Sequence, residues 1–153
     1  MGKQSAGILL FRKNKDGLQV MLAHPGGPFW AKKDAGAWSI PKGEFDDGED
    51  ILHAAQREFK EETGVELKGN FIPLQAVKQK NGKLVHAFAL EGDMDVTTIA
   101  SNTFTIEWPP HSGTMKEFPE IDRCSWFSVD EAKEKINPAQ AALVDELALM
   151  MDR

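Results

Sequence analysis

Short apolar runs alternate with polar turns along the first half of the chain. The runs "SAGILLFRK" and "LQVMLAHP" flank "NKDG", whose Asp-Gly end is typical of a tight hairpin turn. A second pair, "FIPLQAVKQ" and "LVHAFALEG", flanks "KNGK" in the same way. The segments "TFTIEWPP" and "CSWFSV" predict two further short strands. The pattern therefore predicts a chain rich in β-strands, several of them joined as hairpins.

Helical periodicity marks three segments between and after these strands. The first is predicted from about Gly48 to Thr63, with Asp47 as N-cap and Gly64 just beyond its end. The segment "SVDEAKEKI" predicts a helix capped by Ser128, and a last helix is predicted roughly from Pro138 to Met150. Strands mixed with helices in this order indicate a mixed sheet with helices packed on its faces.

Length and composition narrow the classes of protein. A chain of 153 residues with 41% hydrophobic side chains suits one domain, here taken as residues 1–153. The net charge of −6 argues against a partner that is a long nucleic acid, because duplex binding needs clustered basic residues. No apolar run is long enough to span a membrane. Cys124 is the only cysteine, so no intramolecular disulfide can form, and this favours the reducing cytoplasm. We expect a monomer or homodimer.

The first predicted helix carries acids where an apolar face should be. At about 100° per residue, Ile51, Leu52, Ala55 and Phe59 share one side of the helix. Glu58 and Glu62 fall at the edge of that apolar sector, with Glu61 beside them. Carboxylates in such a position are unfavourable unless a cation compensates them. Oxygen ligands one helical turn apart suit Mg²⁺ or Mn²⁺, so the helix predicts a divalent metal site.

The spacing of the residues around these acids matches a known signature at every position. The matching residues are Gly43, Glu49, Arg57, Glu58, Phe59, Glu61, Glu62, Gly64 and Val65. In this order and spacing they match the Nudix box, and the chain therefore resembles the Nudix hydrolases. The resemblance implies an α/β/α sandwich with a mixed central sheet over essentially the whole chain.

The resemblance also implies roles for individual residues. It places divalent metals on the carboxylates of Glu58, Glu61 and Glu62, with the carbonyl of Gly43 as a further ligand. A downstream glutamate often completes such a site, and Glu120, six residues before Trp126, is the first candidate, with Glu117 as the reserve. Glu49 and Arg57 are expected to support the structure by pairing rather than to touch the substrate.

The implied reaction is hydrolysis of a nucleoside diphosphate linked to another group. Mg²⁺, or Mn²⁺, would polarise the phosphate, and a carboxylate, either Glu58 or Glu120, would take the proton from water. Lys42 and the loop residues Lys32 and Lys33 are candidates to bind phosphates. Trp30 is a candidate to stack on the base, with the alternatives Phe29, Phe88 and Trp108 left open.

The substrate is less constrained than the reaction. The lead-in "WSIPKG" resembles the dinucleoside polyphosphate hydrolase branch, which favours cleavage of diadenosine tetraphosphate to ATP and AMP. That branch often has a Tyr where this chain has "NGK", and the chain has no tyrosine. The alternatives are an NTP pyrophosphohydrolase, a non-catalytic nucleotide-binding regulator, and an enzyme acting on the 5′ end of RNA, which the acidic composition does not support.

Overall fold

The computed structural model describes residues 4–152 and contains nine strands and three α-helices within that range. The strands are β1 (Gln4–Asn14), β2 (Gly17–Pro25), β3 (Lys42–Phe45), β4 (Ile72–Pro73), β5 (Val77–Lys78), β6 (Leu84–Glu91), β7 (Thr103–Glu107), β8 (Met115–Pro119) and β9 (Ile121–Ser128). The helices are α1 (Ile51–Thr63), α2 (Val129–Lys135) and α3 (Ala141–Met151). The ends of the predicted domain, residues 1–3 and 153, lie outside the described residues.

The predicted α/β/α sandwich with a mixed central sheet is confirmed. The sheet order is β4-β6-β1-β2-β9, in which β1 runs parallel to β6 and antiparallel to β2. Alternate residues of β1 enter two cores: Ile8 packs on the α1 side and Leu9 on the side of α2 and α3. Because both sheet faces are covered by helices, the middle of β1 is buried throughout.

The N-terminal half of β1 leaves its neighbour β2, which creates the space for a site. β2 pairs with β1 from Phe11 to Asn14, whereas β3 pairs with the other end of β1, from Gln4 to Gly7. On its other edge, β2 pairs with β9 from Gln19 to Pro25, so the C-terminal part of β2 stays in the sheet without β1 as a partner. The two central strands therefore diverge, and a cleft opens between β3 on one side and the end of β2 on the other.

Both predicted hairpins are confirmed, the second by the antiparallel pairing of β5 with β6, and other strand predictions need correction. β1 and β2 are joined across the tight turn in which Asn14 pairs with Gly17. The predicted strand "FIPLQAVKQ" is divided into β4 and β5, which both pair antiparallel with β6. The sequence also misses β8, which forms a separate antiparallel pair with β7 outside the main sheet.

The predicted start of α1 is wrong by three residues. Gly48 has φ 92°, a left-handed conformation that cannot belong to a helix, and the Glu49 N–H closes a turn on the Asp46 carbonyl at 3.1 Å. The N-cap is Asp50, whose side chain accepts from the His53 N–H at 3.0 Å. The predicted end is confirmed, since Gly64 follows the helix with φ 81°.

The C-terminal helices follow the prediction with one change. Ser128 caps α2, accepting a hydrogen bond from the Glu131 N–H at 3.2 Å. The segment predicted from Pro138 begins as a 3₁₀ turn, Pro138–Gln140, before α3. Among residues 4–152, no helix combines the length and the apolar composition needed to cross a bilayer.

Candidate active site

The cleft between the diverging strands forms a cavity of about 530 Å³. Its wall brings together residues from β1, β3, α1, β9 and the connecting loops. The wall residues include Ser5, Pro25, Ser39, Lys42, Gly43, Glu44, Glu58, Glu61, Glu62, Lys83, Asn102 and Glu120. All five residues predicted to bind metal therefore face one cavity, although they are separated by up to 77 positions in the chain.

Helix α1 presents its acids to this cavity because its other side is fixed in the core. Ala55 and Phe59 are fully buried under the sheet, which fixes the rotation of the helix. Glu62 then lies against β3, where it accepts the Lys42 N–H at 2.9 Å. Burial raises the pKa of Glu62 to about 8, and the nearby charge of Glu58 acts in the same direction. A carboxylate in this setting favours a cationic partner.

The carboxylate of Glu58 lies directly against Gly43, where a side chain would otherwise be. A Cβ placed on Gly43 would lie 1.8 Å from Oε2 of Glu58 and 2.2 Å from its Cδ. These distances are far below any van der Waals contact, so Glu58 can occupy its position only beside a glycine. Burial also raises the pKa of Glu58, and the hydrogen bond from Arg57 opposes this shift.

Arg57 forms hydrogen bonds with three glutamates of the box. Its Nε and Nη2 bind the two carboxylate oxygens of Glu49 at 3.0 and 3.1 Å. Its Nη1 donates to Glu58 at 2.9 Å and to Glu61 at 3.3 Å. The bond from Arg57 lowers the pKa of Glu49, so this carboxylate remains charged. The guanidinium thus holds three acids of one loop and one helix in a fixed arrangement.

Glu120 lines the cavity from the junction of β8 and β9. Its N–H donates to the Asn102 carbonyl at 2.8 Å, and its carbonyl accepts the Gly26 N–H at 2.9 Å. The backbone of Glu120 is therefore fixed on both sides while its side chain is exposed. Glu117, the reserve candidate, lies exposed on β8 and outside the cavity wall as described.

The cavity also contains polar groups that the sequence analysis did not identify. Lys83, at the end of the β5–β6 turn, bonds Glu44 through its Nζ at 2.7 Å. Ser5 is 1% exposed, and its Oγ has no hydrogen-bond partner in the described structure. Lys42 is half-buried, and this desolvation lowers its pKa, whereas the charges of Glu62, Glu44 and Glu58 oppose that shift. The only sequence signal for Lys83 was its place after the "NG" turn.

The loop residues predicted to bind substrate lie outside the cavity wall as described. Trp30 is 41% exposed, and the Lys33 ammonium lies 5.0 Å from the centre of its ring. The Lys33 carbonyl is bonded to Nε2 of the buried His24 at 2.7 Å, so the loop is anchored while its side chains stay free. Lys32 is exposed. Phe29 contacts Trp108 edge-on, with ring centroids 5.4 Å apart.

The residues of the cavity fit a hard divalent cation. Four carboxylates, Glu58, Glu61, Glu62 and Glu120, face the same space, and carboxylate oxygens are the preferred ligands of Mg²⁺. The missing Cβ of Gly43 lets the Glu58 carboxylate lie against the Gly43 backbone. With their present rotamers, no three acidic, His or Cys side chains of residues 4–152 are grouped tightly enough to hold an ion. Arg57 instead contacts Glu58 and Glu61, and it would have to yield part of that contact to a metal.

Comparison with known proteins places this site in a family. The NUDIX domain family model matches residues 1–147. RNA pyrophosphohydrolase from Caulobacter vibrioides is 31% identical over 137 residues, covering 82% of this chain and 78% of that protein. Nudix hydrolase 5 from Arabidopsis thaliana is 30% identical over 132 residues and covers 82% of this chain. The chain spans only 36% of the length of that plant protein.

Solved structures agree on the fold. The C. elegans Ap4A hydrolase, in a binary complex, has a TM-score of 0.68 at 20% identity and covers 97% of this chain and 98% of its own. The NUDIX domain of Shewanella oneidensis NrtR, complexed with ADP ribose, has a TM-score of 0.64 at 15% identity, with coverage of 100% and 90%. The complete box, the acid-lined cavity and the family match lead to one conclusion: the chain belongs to the Nudix family and is a Nudix hydrolase.

Proposed function

We propose that this protein hydrolyses a phosphoanhydride bond in a nucleoside polyphosphate, with Mg²⁺ or Mn²⁺ as cofactor. The preferred substrate is a dinucleoside polyphosphate such as diadenosine tetraphosphate, cleaved asymmetrically to ATP and AMP. The observation that carries the proposal is the convergence of Glu58, Glu61, Glu62 and Glu120 on one cavity that also holds Lys42. Residues 1–153 would act as one catalytic domain.

The metal ligands proposed are the four carboxylates and the carbonyl of Gly43. A bound divalent ion would neutralise negative charge on the phosphate oxygens and lower the pKa of a water molecule. The protein contributes a fixed set of oxygens: Lys42 holds Glu62 through its amide, and Arg57 holds Glu58 and Glu61. Glu49 fixes Arg57 in turn. The box therefore restrains these acids before any substrate arrives, and Arg57 would yield part of its contact with Glu58 and Glu61 to a bound metal.

The chemical step needs a carboxylate that takes a proton from the attacking water. The water oxygen forms a bond to phosphorus, the bridging P–O bond breaks, and the leaving phosphate keeps the electron pair. Glu58 and Glu120 are the two proposed bases, and they line the cavity from α1 and from the junction of β8 and β9. The variants E58Q and E120Q separate them. Loss of the base should lower kcat by about 10² to 10⁴-fold and should abolish the acidic limb of the pH profile. Loss of a metal ligand alone should be partly reversed by a high Mg²⁺ concentration.

Binding of the nucleotide outside the acid cluster is assigned to four residues. Lys42 lies in the cavity wall beside Glu62 and can hold a phosphate as a point charge. Trp30, Lys32 and Lys33 lie on the loop that continues from Pro25, itself a wall residue. The exposed ring of Trp30 offers a face for a base, and Lys32 and Lys33 offer charges for phosphates near it. The variant W30A should therefore raise KM with little change in kcat.

A second candidate is removal of pyrophosphate from the 5′ end of RNA. It is favoured by the 31% identity to the Caulobacter vibrioides RNA pyrophosphohydrolase, which extends over 78% of that protein. The chemistry at the acids would be the same, because a 5′-triphosphate end contains the same anhydride. The net charge of −6 means that such an RNA would be held mainly at its end.

The deciding experiment is a panel of substrates with Mg²⁺, comparing the wild type with E62Q. The panel contains diadenosine tetraphosphate, the four NTPs, ADP-ribose and a short 5′-triphosphate RNA. Appearance of ATP and AMP from the first substrate, with at least 100-fold loss in E62Q, supports the proposal. A higher kcat/KM on the RNA would select the second candidate, and NMP with pyrophosphate would indicate an NTP pyrophosphohydrolase. Wild type and E62Q that are equally inert on all of them would refute the hydrolase mechanism.

A further inference from the structure

We propose that His24 is a positioning residue, which holds the loop assigned to the nucleotide against the start of β9. Its imidazole ring bridges this loop, residues 26–37, to the side chain of Asp122. The inference rests on the proposed function, because that function assigns the exposed side chains of the loop to nucleotide binding. His24 lies outside the cavity wall as described, so it acts through the residues that it holds.

The ring of His24 is fully buried, and both of its nitrogens have polar partners. Nδ1 lies 2.9 Å from Oδ1 of Asp122, and Nε2 lies 2.7 Å from the carbonyl oxygen of Lys33. A carbonyl oxygen and an ionised carboxylate can only accept hydrogen bonds. Both ring nitrogens must therefore donate, so the bridge requires the doubly protonated, positively charged ring.

Charged side chains approach the ring, or the indole packed against it, from three elements. They are Asp122 and Arg123 of β9, Lys33 and Asp34 of the loop, and Lys135 of α2. Within residues 4–152, Asp122 alone among their side chains bonds the ring. Trp38 packs edge-on against the ring, with centroids 5.1 Å apart, and donates its Nε1–H to Asp34 at 2.7 Å. The positive ring therefore depends on the charge of Asp122.

A bulge in the pair of β2 with β9 brings Asp122 to His24. His24 lies opposite Arg123, and the next residue of β2, Pro25, lies opposite Ile121. Asp122 is thus an extra residue between the two pairs, and a bulge of this kind re-aims a side chain. The Asp122 side chain is 34% exposed, whereas the ring that it bonds is buried. The acid can therefore be replaced without opening a cavity in the core.

The loop is held at its middle by His24 and at its start by Glu120. The Gly26 N–H donates to the Glu120 carbonyl at 2.9 Å, and the Lys33 carbonyl bonds His24 further along the loop. Between these two points lies Trp30, exposed, with the Lys33 ammonium 5.0 Å from its ring centre. Both points lead to the start of β9. The place of the nucleotide-binding side chains relative to the proposed metal ligand Glu120 therefore depends on His24.

The first test compares H24F with the wild type in the full chain, with Mg²⁺ and diadenosine tetraphosphate. Phenylalanine keeps an aromatic ring beside Trp38 and removes both hydrogen bonds. We expect KM to rise about tenfold while kcat stays within about threefold, because the acids of α1 are left in place. Unchanged KM in a folded H24F protein would overturn the proposal.

The variant D122N tests the protonation that the bridge requires. An asparagine amide can donate to Nδ1, so a neutral ring can keep both hydrogen bonds, with Nε2–H on the Lys33 carbonyl. In the wild type, a ring that loses its second proton keeps only one of the two. From pH 7 to pH 9, KM should therefore rise in the wild type relative to D122N. Parallel pH profiles of KM in the two proteins would contradict the bridge.

Tryptic cleavage after Lys32 and Lys33 measures the anchoring of the loop without any substrate. H24F should be cut there about tenfold faster than the wild type, because cleavage needs the loop to leave its fold. The matched control is H86F. His86 bonds Gln4 and packs edge-on against Phe45, so this variant removes a histidine ring from the same sheet without touching the loop. It should leave KM and the cleavage rate at the two lysines unchanged.

The two measurements separate the anchor from the proposed function. If the wild type is inactive on every nucleotide, the proposed function fails, but cleavage at Lys32 and Lys33 still tests the anchor. Faster cleavage in H24F, and in the wild type relative to D122N at pH 9, would then support the bridge. Equal cleavage in all three proteins at both pH values would refute it, and faster cleavage with unchanged KM in an active enzyme would refute the positioning role.

Discussion

The close approach of Gly43 to Glu58 makes the substitution Gly43→Ala a sharp test of the site. An alanine Cβ would lie 1.8 Å from Oε2 and 2.2 Å from Cδ of Glu58. Contacts below about 3 Å are repulsive, so the carboxylate must retreat by about 1 Å or more. The φ angle of Gly43 is not positive, so the backbone itself would not strain an alanine at this position. The substitution therefore acts on one side chain.

The size of the effect follows from this displacement. A shift of about 1 Å in a catalytic group lowers the rate by about 100-fold, which corresponds to about 2.7 kcal/mol of transition-state stabilisation. The retreat also weakens the Arg57–Glu58 pair, whose partners are 33% and 12% exposed. A partly exposed pair of this kind contributes about 1 kcal/mol or less. We expect kcat/KM to fall about 100-fold while the melting temperature falls by only a few degrees.

The assay measures kcat/KM with Mg²⁺ and diadenosine tetraphosphate, with calorimetry on the same samples. The control is G92A, because a Cβ on Gly92 meets only Leu10 Cδ1, at 3.3 Å, and Gly92 lies outside the cavity wall. A double variant, G43A with E58Q, should be no slower than E58Q alone if alanine acts through Glu58. A fully active G43A enzyme, or a loss of activity explained by unfolding, would refute the reasoning.

Three further predictions test the N-cap of α1, the contacts of Arg57 and the burial of Cys124. Asp50→Ala removes the N-cap of α1 and should lower stability by about 1 kcal/mol, whereas Asp47→Ala, at the cap position expected from sequence, should change it by less than about 0.5 kcal/mol in urea titrations. Arg57→Lys should lower kcat about tenfold in steady-state kinetics, because an ammonium cannot bind both oxygens of Glu49 and still reach Glu58. An unchanged kcat would contradict the role given to the Arg57 contacts. Burial raises the pKa of Cys124 from 9.0 to about 12, so iodoacetamide should label it at pH 8 only in urea, and stability should decline as the pH rises from 9 towards 12.

The sequence predicted the acid positions on α1 because they depend on one local rule. A helix whose Ala55 and Phe59 are buried must place Glu58 and Glu62 at the edge of that face. The start of the same helix was not predictable in this way. Asp47 and Asp50 are both good N-caps, and the choice between them depends on the left-handed turn at Gly48, which is set by the connection from β3.

The remaining misses share a dependence on contacts distant in sequence. β8 gave no apolar signal because Met115, Lys116 and Glu117 are all exposed, and within residues 4–152 it pairs with β7 alone. Ser5 begins an apolar run and was read as part of a core strand. Its relation to the cavity exists only after β3 returns to pair with β1, 37 or more residues later. Local patterns cannot carry such information.

The box can be understood as a way to keep acids at the edge of a hydrophobic core. A buried carboxylate raises the free energy of the folded state unless donors or cations offset it. Here the offsets come from residues of the box and its neighbour: the amide of Lys42 bonds Glu62, and Arg57 bonds Glu58. Gly43 removes the atom that would push Glu58 away. The same residues that make the acids tolerable in the fold also hold their oxygens still. The placement of the proposed metal ligands and the tolerance of the fold for these acids therefore depend on one set of contacts.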